Sequence, residues 1–144
     1  MKNLLKILPL ALLLTFNVGC KKDVVEDCVC IEIYAPVCGD DGVVYDNSCF
    51  ADCAGVTYTD GFCPIETDAK ILDYGPVPAD GCGWLIQFEV DGTLTEHHAE
   101  NLPSSFEVHE LEVKITYTPT LDNFTCGLMP VTYPKIELIS IEQL

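Results

Sequence analysis

Apolar and polar residues alternate along three stretches in the second half of the chain. Alternate positions are apolar over residues 84–90 and 111–117, and the alternation is looser over 136–141. A period of two residues is typical of strands that bury one face. Asp91-Gly92 directly follows the first stretch and predicts a hairpin turn. We therefore predict an all-β domain over residues 64–144, with about five strands in an open barrel or a small sandwich.

The first twenty residues combine positive charge with an apolar segment. Lys2 and Lys6 form a basic start, and the apolar run occupies residues 7–16. A run of this length cannot cross a hydrocarbon core of about 30 Å. The pattern therefore predicts a signal peptide over residues 1–19.

Gly19-Cys20 resembles the lipobox of bacterial lipoproteins. The resemblance implies that Cys20 carries a lipid after cleavage and that residues 20–27 form a tether. It places the protein at the outer membrane or cell surface, on the periplasmic or extracellular side. Asn17 stands where the lipobox prefers Leu, and the alternative is ordinary secretion with Cys20 as a free thiol.

Six further cysteines lie between residues 28 and 63, a segment too short to fold on its apolar core alone. Disulfides are the default cross-link in an exported chain, and zinc is the alternative. Zinc is disfavoured because the segment lacks His and because Cys28 and Cys30 are only one residue apart. The residues alone do not choose among the possible cysteine pairings.

Local signals within this segment predict one hairpin and one helix. Asp41-Gly42 between short extended runs indicates a turn. Asp46 or Asn47 can cap a helix over roughly residues 48–54, and Gly55 can end it in a left-handed conformation. Cysteines four residues apart on that helix would share one face.

The segment resembles the Kazal family of serine protease inhibitors in its cysteine spacing, in Pro36-Val37-Cys38-Gly39 and in the positions of Tyr45 and Asn47. The resemblance implies a small disulfide-rich module of a short helix and a small antiparallel sheet over residues 28–63. It also implies three disulfides, namely Cys28 with Cys53, Cys30 with Cys49, and Cys38 with Cys63.

In this family, the loop after the second cysteine enters a protease active site as a substrate would. The match places the reactive bond between Glu32 and Ile33. The remaining positions of the inhibitory loop are Cys30, Ile31, Tyr34, Ala35 and Pro36. Asn47 matches the spacer residue that holds loop carbonyls on both sides of that bond, and the alternative is that it only caps the helix.

Glu32 suggests which proteases the loop would fit. A carboxylate is costly to bury in an apolar pocket, and the Asp of a trypsin-like pocket would repel it. We therefore expect a Glu-specific or subtilisin-like serine protease as the partner of a membrane-anchored inhibitor. The alternative is a non-inhibitory surface lipoprotein that uses both modules for protein binding or adhesion.

Cys82 and Cys126 are the remaining cysteines, and a disulfide between them is the simplest expectation. A zinc site with His97, His98 or His109 is disfavoured because adjacent His residues on a strand point to opposite faces. Nucleophile-elbow, phosphate-loop and HExxH motifs are absent from the sequence. We therefore expect no enzyme activity, no metal and no cofactor.

The charge balance is strongly acidic, with 23 Asp and Glu against 7 Lys and no Arg. Only Lys70, Lys114 and Lys135 follow Lys22. Such a surface repels phosphate backbones, so we expect no nucleic-acid partner. Acidity also favours a soluble monomer.

Overall fold

The computed structural model of the chain describes residues 28–128 and 130–144. The predicted signal peptide, the predicted lipidation site Cys20 and the predicted tether lie outside these residues. Within the described ranges, no helix is both long enough and apolar enough to cross a membrane.

Residues 28–63, here called the N-terminal module, contain one helix and one small sheet. The strands are β1 (Val37–Gly39), β2 (Val44–Tyr45) and β3 (Tyr58–Asp60), and the helix α1 spans Ser48–Ala54. The sheet is antiparallel in the order β2-β1-β3. This confirms the predicted helix and antiparallel sheet.

The bounds of α1 follow from the residues on either side of it. Asn47 has an extended backbone, and its side-chain oxygen accepts hydrogen bonds from the amides of Cys49 and Phe50. Gly55 ends the helix with φ of 69°, a left-handed conformation that glycine adopts without steric strain. The helix buries Ala51 completely.

Residues 65–143 form five strands, which confirms the predicted number and type. They are β4 (Ile65–Asp73), β5 (Trp84–Val90), β6 (Thr93–Ala99), β7 (Leu111–Cys126) and β8 (Val131–Gln143). The strands close into a barrel in the order β4-β5-β6-β8-β7, and β6 and β8 are its parallel pair. The barrel closes because β4 pairs with β5 along one edge and with β7 along the other.

Alternate residues of the strands point into the barrel and form its core. The largest fully buried side chains of this interior include Phe88, Ile71 and Ile115. A register shift in β8 explains why its alternation is loose. Thr116 pairs with Ser140 but Tyr117 pairs with Leu138, so Ile139 lies outside the pairing and is exposed.

The C-terminal part of β7 and the N-terminal part of β8 form a hairpin that packs on the outside of the barrel. Phe124 and Tyr133 contact a second cluster made of Leu85, Cys82 and Cys126. Leu85 is therefore completely buried although its neighbour in β5, Ile86, is the residue that faces the barrel interior. The hairpin covers the outer face of β5 at Leu85.

Only Pro64 separates the two parts of the chain. Cys63 is fixed to Cys38 by a disulfide. Ile65 begins β4 and pairs with Tyr117. The connection is therefore one residue long.

Candidate functional site

Three disulfides hold the loop between Cys30 and Cys38. The bonded pairs are Cys28 with Cys53, Cys30 with Cys49, and Cys38 with Cys63, the same pairs that the family resemblance implies. The first two lie side by side, since their four sulfur atoms are all within 4.8 Å of one another. Each of these sulfurs is bonded to another, so the group offers no free thiolate for a metal.

The loop turns at Glu32 and projects into solvent. The Ile33 amide donates a hydrogen bond to the Ile31 carbonyl at 3.0 Å, and this places Glu32 at the apex of a tight turn. Glu32 is exposed, and so are large apolar side chains on both sides, with Ile31 at 68% and Ile33 at 56% exposure. Exposed apolar residues held at the tip of a fixed loop can enter a partner's pockets.

Asn47 joins this turn to the helix below it. Its Nδ2 donates to the carbonyl of Ile31 at 3.1 Å and to that of Ile33 at 2.8 Å. Its Oδ1 accepts from the Cys49 amide at 3.0 Å. Asn47 is 7% exposed, so these bonds are shielded from water. The side chain therefore both caps α1 and holds the carbonyls on either side of Glu32.

The part of the loop after Ile33 is fixed by backbone bonds. The Ala35 amide donates to the Asp46 carbonyl at 2.8 Å, and the Gly61 amide donates to the Pro36 carbonyl at 2.9 Å. Pro36 is buried, whereas Tyr34 is 57% exposed. The chain therefore passes from an exposed position at Ile33 to a buried position at Pro36, three residues later.

Phe50 is a candidate contact residue that the sequence analysis missed. Its ring is 38% exposed and lines a groove with Glu32, Ile33, Tyr34 and Asp46. The signal was present in the sequence, because a residue three positions after the Asn47 cap lies on the same side of the helix as that cap. A partner bound at the loop would meet this ring.

Tyr45 and Asp41 stabilise the hairpin beside the loop. The Tyr45 hydroxyl donates to the Asp41 carboxylate at 2.8 Å. That bond lowers the pKa of Asp41 and raises the pKa of Tyr45. Gly39 lies close to both, since a Cβ at this position would come within 2.8 Å of the Tyr45 ring.

The comparisons with known proteins concern this part of the chain. The model of the Kazal-type serine protease inhibitor domain matches residues 20–62. Bdellin B-3 of Hirudo medicinalis is 52% identical over 50 residues, which cover 89% of that protein and 34% of this chain. The chain belongs to the Kazal-type serine protease inhibitor family. No solved structure is a significant match.

Membership in the Kazal family implies a serine protease as the partner. It also identifies the N-terminal module as a Kazal-type inhibitor domain. The Kazal match ends at residue 62, before the barrel begins at Ile65. The family match therefore does not extend to the barrel, which is described by its structure alone.

The β7–β8 hairpin covers part of the outer face of β5 and β6, around Leu85 and His98. Some five-stranded Greek-key barrels bind oligonucleotides or sugars across their second and third strands. The corresponding face here is β5 and β6, and the β7–β8 hairpin packs against it through the stacking of Phe124 on His98 at 3.8 Å. Cys82 is bonded to Cys126 and fixes that hairpin in place.

The two adjacent histidines point in opposite directions, as their alternation predicts. His97 stacks on Phe88 inside the barrel at 4.1 Å, whereas His98 stacks on Phe124 outside. His109 lies elsewhere, where its Nδ1 accepts a hydrogen bond from the Asp73 amide. These side chains do not converge on one point, and Cys82 and Cys126 are bonded to each other.

Proposed function

We propose that the chain is a membrane-anchored serine protease inhibitor whose reactive bond joins Glu32 to Ile33. The observation that carries the proposal is the position of Asn47, whose amide donates to the carbonyls of Ile31 and Ile33. The residue between these two carbonyls, Glu32, is exposed at the tip of the loop. The Glu32–Ile33 bond is therefore accessible to an active site, while the loop around it is held in place.

The same contacts support a mechanism in which binding is tight and turnover is slow. A loop that is already ordered loses little conformational entropy on docking. After cleavage, the Cys30–Cys49 disulfide and Asn47 would retain the Ile31 side of the bond. Asn47 and the Ala35–Asp46 hydrogen bond would retain the Ile33 side. The two new ends would stay together, which favours resealing over release.

Glu32 supports a Glu-specific or a subtilisin-like serine protease as the target. Its carboxylate needs a pocket that supplies positive charge or hydrogen-bond donors, or one wide enough to leave it solvated. A pocket that carries its own Asp would repel it.

The resemblance of Gly19-Cys20 to a lipobox supports the membrane anchor in this proposal. Two or more acyl chains give stable attachment, whereas a single chain gives marginal binding. Residues 21–27 would span at most about 25 Å when extended. A protease would therefore be inhibited close to the surface of the outer membrane.

Protease titration tests the inhibitory part. The full chain in detergent micelles is titrated against a Glu-specific endopeptidase, a subtilisin-like protease and trypsin, and the Glu32→Lys variant is titrated in parallel. We expect the parent to inhibit one of the first two and the variant to gain inhibition of trypsin. The proposal fails if the parent inhibits none of the three and Glu32→Lys gains no trypsin inhibition, an outcome that would favour a non-inhibitory binding module.

Fractionation of expressing bacteria tests the anchor separately. The parent is expected in the membrane fraction with acyl chains detectable on Cys20 by mass spectrometry. The Cys20→Ser variant is expected in the soluble fraction or as the unprocessed precursor. Equal distribution of the two proteins would refute the anchor without affecting the inhibitor assignment.

A further inference from the structure

A cleft of about 490 Å³ lies between the N-terminal module and the barrel, next to the loop. Ala35 and Pro36 of the loop form part of its wall. The barrel supplies the opposite wall from the segment around Leu121 and Asp122 of β7 and from Glu137 of β8. One continuous surface thus runs from the tip of the loop into the barrel.

The cleft lies within reach of any protease bound at Glu32. Pro36 follows Ile33 by three residues, so the two are separated by at most about 10 Å of extended chain. A protein interface of ordinary size covers about 800 Å² on each partner, roughly 30 Å across. A protease centred on the Glu32–Ile33 bond would therefore extend over the cleft.

The cleft combines an exposed apolar side chain with negative charge. Leu121 is 60% exposed. Asp60, Asp122 and Glu137 line the same cleft, and none of the three forms a salt bridge within the described part of the chain. The described lysines form salt bridges with other acids, namely Lys70–Glu112, Lys114–Glu66 and Lys135–Glu100. Lys135 also lines a neighbouring pocket with Asp122 and Glu137, so it offsets part of the negative charge there.

The junction keeps the two walls of the cleft together. Pro64 is the only residue between the disulfide-bonded Cys63 and Ile65, which is paired in β4. Proline also fixes its own φ near −65°. The short connection therefore limits how far the barrel wall can move away from the loop.

We infer that the cleft formed by Ala35, Pro36, Leu121, Asp122 and Glu137 is a second contact surface for the target protease and takes a basic segment of its rim. This inference rests on the proposed function. The protease residues bound there are those on the leaving-group side of its active site, because Ala35 and Pro36 follow the reactive bond. Lys or Arg beside an apolar side chain matches both the carboxylates and Leu121.

Inhibition kinetics with matched variants test the inference. Leu121→Ala and Asp122→Lys alter the cleft. Leu94→Ala and Glu89→Lys are the controls, since Leu94 is 65% exposed and is paired with Glu89 on a hairpin that does not line the cleft. Each control matches the size or charge change of its test variant. All are measured as full chains against the protease that the parent inhibits.

We expect Leu121→Ala to raise the inhibition constant about threefold to tenfold, as loss of a partly buried apolar contact does. We expect Asp122→Lys to slow association by a similar factor and to weaken its dependence on salt, because rim charges act mainly on the association rate. Both control variants should stay within about twofold of the parent.

Hydrogen exchange gives a second measurement that does not depend on a substitution. Amides of residues 118–122 should gain protection together with residues 31–36 when the protease binds. Protection of residues 31–36 alone, with equal inhibition by the test and control variants, would overturn the inference and leave the proposed function standing. A parent protein that inhibits no protease would refute both the inference and the proposed function.

Discussion

The Nδ2 atom of Asn47 donates to the Ile33 carbonyl at 2.8 Å, and this bond links the first turn of α1 to the residue just after Glu32. The same side chain accepts the Cys49 amide and so begins the helix. Loop geometry and helix capping therefore depend on one residue. Substitutions at Asn47 can separate the two roles.

Asn47→Asp should preserve the cap and weaken the loop. An Asp oxygen can still accept from the Cys49 amide, but the donors to the Ile31 and Ile33 carbonyls are lost. We expect faster cleavage of the loop by the target protease and a loss of stability, because the second carboxylate oxygen would face the carbonyl oxygens of Ile31 and Ile33. Asn47→Ala loses both functions and should cost about 1–3 kcal/mol of unfolding free energy.

Thermal unfolding and mass spectrometry of the cleaved loop measure the two effects of these Asn47 variants. Equal resistance of the Asn47→Asp variant and the parent to prolonged incubation with protease would contradict the spacer role.

Gly39→Ala should destabilise the N-terminal module by about 1–3 kcal/mol, the usual cost of overpacking. An added Cβ would lie 2.8 Å from the Tyr45 ring and 2.9 Å from the Val56 side chain. Hydrogen exchange of the β1–β3 amides would show the loss as faster exchange. Unchanged exchange rates in these strands would show that Tyr45 and Val56 move aside freely.

Removing the Cys82–Cys126 disulfide should lower the stability of the barrel. The bond closes a loop with a sequence separation of 44 residues. Loop-closure entropy predicts a loss of about 4 kcal/mol for such a loop. Trp84 lies in β5 and is the single Trp of the chain, so its fluorescence reports barrel unfolding in denaturant.

The Cys82→Ala/Cys126→Ala double variant should keep its inhibition of the target protease under native conditions. Its denaturation midpoint should fall while the three disulfides of the N-terminal module remain. An unchanged midpoint would mean that the hairpin is held against Leu85 by packing alone.

Stability should fall as the pH drops below about 6.5, in part through His97. Burial lowers the pKa of His97 from its ordinary value of 6.5, and its Nδ1 is buried without a hydrogen-bond partner. The unfolded chain therefore takes up a proton more readily than the folded chain, and acidification favours unfolding. Burial also lowers the pKa of His98, which adds to the effect.

His97→Phe keeps an aromatic ring against Phe88 and removes the titrating group. We expect its unfolding free energy to fall less than that of the parent between pH 7.5 and pH 5.5, with His98 present in both proteins. Denaturant unfolding followed by Trp84 fluorescence at the two pH values measures the difference. An identical fall in parent and variant would contradict the contribution of His97.

The helix and its caps could be predicted because local residues determine them. Asn47 and Gly55 suit the two ends of α1, and the helix occupies Ser48–Ala54. The Asp91-Gly92 turn is equally local, since both residues adopt positive φ. Strands β5, β7 and β8 follow from alternation, which depends only on which face is buried.

The burial of the outer face of β5 at Leu85 and the cleft beside the loop could not be predicted from local signals or from alternation. Leu85 occupies an outward position of β5, where alternation predicts exposure, and it is buried only because the β7–β8 hairpin folds over it. The register shift at Ile139 also depends on pairing between strands. The cleft requires the placement of Leu121 beside Pro36, which lie 85 residues apart in the sequence.

The single-residue junction at Pro64 affects how the inhibitory loop and the barrel wall of the cleft contribute together to binding affinity. Two binding modules on a flexible linker act as separate ligands, and the second binds with an effective concentration set by the linker. Here only ψ of Cys63, ψ of Pro64 and φ of Ile65 can turn one part against the other. The loop and the barrel wall therefore have much less freedom to move apart than two modules on a flexible linker, so less of the search that avidity requires remains after the chain folds.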